Sequence, residues 1–181
     1  MDKKLNKTQE DFLLKTARKA IKLYLKKGKT LEFHPEDDLL NENRGVFVTL
    51  KTGGELRGCI GYPLPVQPLL ETVIKIAISS ATEDYRFEPI SMNDLPDTKI
   101  EISVLSLPRK IDNISEIEIG THGIIVSQGS SKGLLLPQVP VEWDWDLETY
   151  LRHGCLKAGL PEDAWKKGAA IEIFCAQVFS E

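Results

Sequence analysis

The chain is poor in the residues that usually announce a chemistry. Its three cysteines, Cys59, Cys155 and Cys175, are an odd number, and no two stand in C-x-x-C spacing. That excludes a disulfide framework and fits a reducing compartment. Three dispersed histidines, His34, His122 and His153, make no H-E-x-x-H and no zinc spacing. There is also no P-loop and no G-x-G-x-x-G, so most easily named enzyme classes fall away, and no cofactor is indicated. No apolar run reaches the roughly 18 residues of a membrane span. The opening "MDKKLNKTQEDF" is charged and has no apolar core, so a secretory signal is not expected and a cytoplasmic location without a membrane partner is. Charge of one sign is scarce only on balance. The net is −4, but residues 1–30 hold ten Lys/Arg against three Asp/Glu. Those lysines recur on all sides of a helix whose apolar face must be buried, which describes a solvated face, and nucleic acid is not favoured as a partner.

What is present describes a globular chain of 181 residues, either one domain or two small lobes sharing a core. Thr8 and Asp11 predict a helix start, the apolar stripe Leu13, Leu14, Ala17, Ile21, Tyr24 and Leu25 predicts its buried face, and Gly28 its stop. "HPEDDLLNENRG" is expected to be a loop. "PLLETVIKIAISSATED" predicts a helix with Pro68 in its first turn. "TKIEISVLSL" alternates as a strand with Ile100, Ile102 and Val104 on one side. "HGIIVSQGSSKGLLLPQ" predicts a hairpin closed by residues 128–133, "DLETYLRHGCLKAGLP" a helix, and "AAIEIFCAQVF" one final strand. Helices interrupting hairpin-joined strands predict an α+β fold with antiparallel sheet.

The segment "GVFVTLKTGGELRGCIG" predicts a hairpin about Gly53-Gly54. A two-residue turn would set Cys59 opposite Val48. A three-residue loop, Thr52–Gly54, would pair Lys51 with Glu55 and set Cys59 across from Phe47. The second choice gathers Val46, Val48, Leu50, Leu56 and Ile60 on a core face and leaves Phe47, Thr49, Arg57 and Cys59 on the other, so burial favours it.

On that register Arg57 and Cys59 share a face about 7 Å apart, and a guanidinium so placed supports a thiolate. Gly58 and Gly61 remove side chains beside the sulfur, opening the backbone to a ligand or to another strand. The competing reading makes Cys59 a small core residue and the glycines packing devices. His122, between glycines at the mouth of a hairpin, is the best candidate base, ahead of His34 and the helical His153; the alternative is an ordinary turn histidine. Glu101 either faces Arg57 across the sheet or meets solvent. Arg86, in "DYRF", is suited to clamping an anion or to capping a helix. Gln138 can donate to a substrate carbonyl or satisfy backbone groups. Trp143 and Trp145 are expected to be packing anchors.

"GVFVTLKTGGELRGCIG", "DYRF", "EISVLS", "GTHGIIV", "GLLLPQVPVEWDWD" and "CLKAGLPEDAW" together resemble the AMMECR domain family over nearly the whole chain, with "LRGCIG" as its hallmark. The resemblance implies an α/β protein of two closely packed lobes, each an antiparallel sheet flanked by helices. It also implies association with MEMO-type and radical-SAM proteins. It implies no reaction. The family's usual "DPRF" is here "DYRF", which removes a rigid proline before Arg86. Two functions of different kinds follow for the "LRGCIG" surface. One is a cysteine-dependent enzyme acting on a small molecule or nucleoside, with Cys59 as nucleophile, Arg57 as electrostatic support and His122 as base. The other is a non-catalytic binding or scaffold module holding an anionic ligand or a protein partner.

Overall fold

The structure, a computed structural model, describes residues 4–33 and 36–181, so His34 lies outside the described residues. The fold is α+β, with two antiparallel sheets flanked by helices. Contacts divide the chain into two compact units, one of residues 1–105 with 177–181 and one of residues 106–176.

The first unit opens with helix α1, Lys7–Lys27. It begins earlier than Thr8 suggests. Asn6 accepts the Gln9 backbone N–H while the Gln9 side chain accepts that of Asn6, a reciprocal cap that satisfies two otherwise orphaned donors. Gly28 ends the helix at φ 64° and donates its N–H to the Tyr24 carbonyl. The expected loop after it contains a turn of helix, α2 (Asp38–Asn41), because Asp37 caps the Leu39 N–H and both Leu39 and Leu40 are buried.

Strands β1 (Val46–Thr52) and β2 (Glu55–Tyr62) form the expected hairpin in neither expected register. Thr52 pairs with Glu55, so the loop is the two residues Gly53 and Gly54, both at positive φ, 60° and 89°. This is the pair of conformations a tight hairpin turn needs and only glycine adopts freely. Beyond it Lys51 pairs with Leu56 but Leu50 pairs with Gly58, leaving Arg57 as the extra residue of a β-bulge. The bulge shifts all later pairs, and Cys59 lies opposite Thr49. Leu56, expected in the core, is exposed beside Lys51.

Helix α3 (Leu69–Thr82) follows, with Pro68 at its cap rather than inside its first turn. It is buried almost all round, packed between α1 and the sheet. Strand β3 (Thr98–Leu105) lies on the far side of β1 and sends Ile100, Ile102 and Val104 into the core with Val46, Val48 and Leu50, as the alternation predicts.

The second unit holds β4 (Arg109–Ile111), β5 (Gly123–Gln128), β6 (Ser131–Leu135), the short helix α4 (Val139–Glu142), α5 (Leu147–Lys157) and β7 (Ala170–Phe174). Its strands run in the order β4-β7-β5-β6, and α5 packs on β5 and β6. The hairpin turn is tighter than expected, since Gln128 pairs with Ser131. The final apolar stretch is two strands, not one. After β7 the strand is interrupted at Cys175 and the chain continues as β8 (Ala176–Ser180), which joins the first unit's sheet in the order β2-β1-β3-β8. Gln177 there accepts the Leu5 N–H and donates to the Leu5 carbonyl, Phe179 is buried, and the Glu181 carboxylate pairs with Arg18.

Candidate functional site

Cys59 is half-buried, and three side chains hold it. The Thr49 hydroxyl, directly across the hairpin, donates to Sγ at 3.3 Å. The Cys59 N–H donates to Asp84 Oδ2 at 2.8 Å. Arg86 Nη2 donates to the Cys59 carbonyl at 3.0 Å. Asp84 and Arg86 come from the loop that ends α3. They are locked to each other through Arg86 Nε to Asp84 Oδ1 (2.9 Å) and Nη2 to Oδ2 (2.7 Å). A carboxylate on the N–H and a guanidinium on the carbonyl serve the outer edge of β2 as a neighbouring strand would.

The electrostatics follow this geometry. Arg86 holds the Asp84 carboxyl well below its ordinary value, against the opposing effect of burial, with help from the Cys59 and Arg86 backbone N–H groups. Arg86 is held above its own ordinary value, first by the Asp84 hydrogen bond and, among smaller contributions, by Cys59. The guanidinium bound to the Cys59 backbone is that of Arg86. Arg57, expected beside the thiol, sits at the bulge, where the inserted residue breaks the two-residue alternation. Its charge is felt by Asp94, whose carboxyl is lowered first by the Ser91 hydrogen bonds and further by Arg57.

The two glycines have packing partners. A Cβ on Gly58 would lie 2.0 Å from the Ser80 carbonyl oxygen of α3, and one on Gly61 would lie 2.3 Å from the Phe47 ring. The space they leave beside the strand is occupied by a helix backbone and an aromatic ring. Ser80 adds a second tie, accepting the Ile60 N–H and donating to the Val48 carbonyl. Glu101 does not meet Arg57. It lies opposite Thr49 on β3 and pairs with Lys51 at 3.1 Å, so Cys59, Thr49 and Glu101 form one row across three strands.

His122 and Gln138 belong to the second unit. The His122 Nδ1 accepts the Glu118 N–H at 3.0 Å. A neutral imidazole that accepts at Nδ1 carries its proton on Nε2. The buried Tyr150 hydroxyl lies 3.2 Å from the carbonyl oxygens of His122, Leu135 and Leu136. Gln138 is exposed at the start of α4. Trp145 packs against the second core as expected, but Trp143 is 67% exposed and is no anchor. Among the described residues no group of three His, Cys, Asp or Glu is placed to hold a metal. Sequence reasoning missed Thr49 and Asp84. The available signal for Asp84 was an acid two residues before an arginine just past a helix end.

These features define a two-unit α+β protein whose first sheet carries a clamped, half-buried cysteine in an "LRGCIG" strand. The chain belongs to the AMMECR1 family, whose profile matches residues 14–179. It is 51% identical to Protein MK0488 of Methanopyrus kandleri over 191 aligned residues, covering 100% of this chain and 92% of that one. It is 45% identical to Protein MJ0810 of Methanocaldococcus jannaschii, covering 94% and 89%. The crystal structure of the uncharacterized protein PH0010 from Pyrococcus horikoshii superposes with a TM-score of 0.80 at 44% identity, covering 94% of this chain and 90% of that one.

Proposed function

We propose that Cys59 is a working thiol that attacks an electrophilic small molecule, nucleosides included, from the non-core face of the first sheet. The observation that carries this reading is the Thr49 hydroxyl aimed at Sγ on a strand whose Cys59 peptide is fixed on both sides. Cysteine reacts as the thiolate. A negative sulfur here has a hydroxyl donor across the hairpin and the Arg86 guanidinium bound to its own carbonyl. Neither must be reorganised when a substrate arrives.

The binding-module reading is supported by a different observation. Asp84 and Arg86 already occupy both polar atoms of the Cys59 peptide, and the glycine spaces are filled. That peptide's N–H is not free to receive an oxyanion. On this reading the surface holds an anionic ligand or a partner through Arg86 and Arg57.

Iodoacetamide labelling at neutral pH, mapped by mass spectrometry, separates the two. Cys175 is exposed and Cys155 is buried, with its thiol pushed up by burial. Access alone therefore orders the rates Cys175, Cys59, Cys155. A working thiol makes Cys59 the fastest, Arg86→Gln slows it without changing Cys175, and Arg57→Gln leaves both unchanged. If Cys175 outruns Cys59, the nucleophile reading fails and the binding module remains.

A further inference from the structure

Away from the thiol, the second unit carries a ladder of flat rings. His153 stacks on Trp145 with centroids 3.9 Å apart, and Trp145 stacks on Trp143 at 6.3 Å. The His153 Nδ1 lies 2.9 Å from the Thr149 carbonyl, which fixes the inner end of the ladder to α5. Its outer end is open: Trp143 is 67% exposed and Val141 is 60% exposed. The segment is nonetheless tied by backbone hydrogen bonds. Trp143 donates its N–H to the Val139 carbonyl, Trp145 donates to that of Pro140, and Asp144 takes a left-handed conformation at φ 51° between them. The nearby acids divide into two kinds. Asp146 caps α5 and Glu148 pairs with Lys166, while Glu142 and Asp144 form no ion pair among the described residues.

We propose that the Val141–Asp144 surface docks a basic segment of a partner protein, with an arginine or lysine laid on the open face of Trp143 and Glu142 and Asp144 as its counter-charges. Indole is the best aromatic acceptor for a cation, and an exposed tryptophan flanked by apolar surface is the usual energetic centre of a protein interface. Unpaired carboxylates beside it select for positive charge. They disfavour phosphate-bearing ligands, nucleic acid and anionic bilayers relative to a basic segment. A segment already fixed by backbone hydrogen bonds loses little freedom when it binds.

The test uses the full chain, labelled with nitrogen-15, and a hexa-arginine peptide, with hexa-citrulline as the uncharged control. Hexa-arginine is expected to shift the Trp143 indole N–H signal saturably and leave that of Trp165 in place. Trp143→Ala should weaken binding about fivefold or more without changing the melting temperature. The double change Glu142→Gln with Asp144→Asn should weaken it and flatten its salt dependence. Equal affinity in Trp143→Ala, equal binding of hexa-citrulline, or no binding at millimolar peptide overturns the proposal. So does self-association of the wild type that Trp143→Ala abolishes, since the occupant would then be a second copy. None of these outcomes depends on the reactivity of Cys59.

Discussion

A carboxylate almost sealed from water stays ionised only if every oxygen is served, and Asp84 meets that condition through Arg86 and the Cys59 N–H. Its native carboxyl is depressed below the ordinary 3.8. The stability it contributes is complete above that value and is lost as pH falls through the lower native one. Wild type should therefore lose stability between about pH 4 and pH 2 more steeply than Asp84→Asn, by denaturant midpoints across that range. Asp84→Ala removes the acceptor altogether, orphans the Cys59 N–H, and should cost about 1–3 kcal/mol at neutral pH. Parallel pH slopes for wild type and Asp84→Asn would mean that the pair is not formed in solution. Nothing in residue types alone marks Asp84 as buried. It is polar, in a loop, beside Tyr85, which is almost fully exposed, and its burial comes from the position of α3 over β2.

The hairpin and the helix above it explain one another at the next scale. With the two-residue turn in place, it is the bulge at Arg57 that puts Gly58 on the core side, opposite Leu50 and facing Ser80. Gly58→Ala would drive a methyl group into the Ser80 carbonyl, a backbone atom that cannot swing aside. The expected loss is about 1–3 kcal/mol or more, read as a lowered melting temperature, with Cys59 labelling altered in the same variant. Gly53→Ala, whose Cβ meets nothing, pays only for its positive φ and should cost about 1 kcal/mol. If the two variants melt together, the close approach of α3 is not what sets the register. The helices α1, α3 and α5, strand β3 and a hairpin about Gly53-Gly54 were legible from periodicity and turn residues, but the loop expected there was one residue longer than the one formed. The bulge was not, because burial was weighed between two unbulged registers and only the tertiary fit of α3 distinguishes a third. The division of "AAIEIFCAQVF" between two sheets was hidden for a similar reason: its residues are strand formers throughout, and no glycine or proline marks Cys175. At the site, the sequence placed Arg57 beside the thiol, whereas in the structure Arg86 bonds the Cys59 carbonyl and Arg57 is the extra residue of the bulge.

At the scale of the molecule, the second unit is inserted into the first between β3 and β8. Removing residues 177–181 deletes most of an outer strand, the buried Phe179 and the carboxylate that pairs with Arg18. Burial of Phe179 alone is worth about 1.5–3 kcal/mol. Hydrogen exchange on the truncated chain should show faster exchange in β1 and β3 and unchanged protection in β5 and β7. Uniform loss of protection would mean that the two units do not have separate stabilities. The same insertion sets a schedule during synthesis. The first unit has all of its helices and three of its four strands once residue 105 is made, but its last strand comes only after the whole second unit. At ordinary ribosomal speeds that delay is roughly 4–14 seconds. Throughout it, the β3 edge is a bare row of peptide groups, open to pairing with any nascent neighbour on the same message.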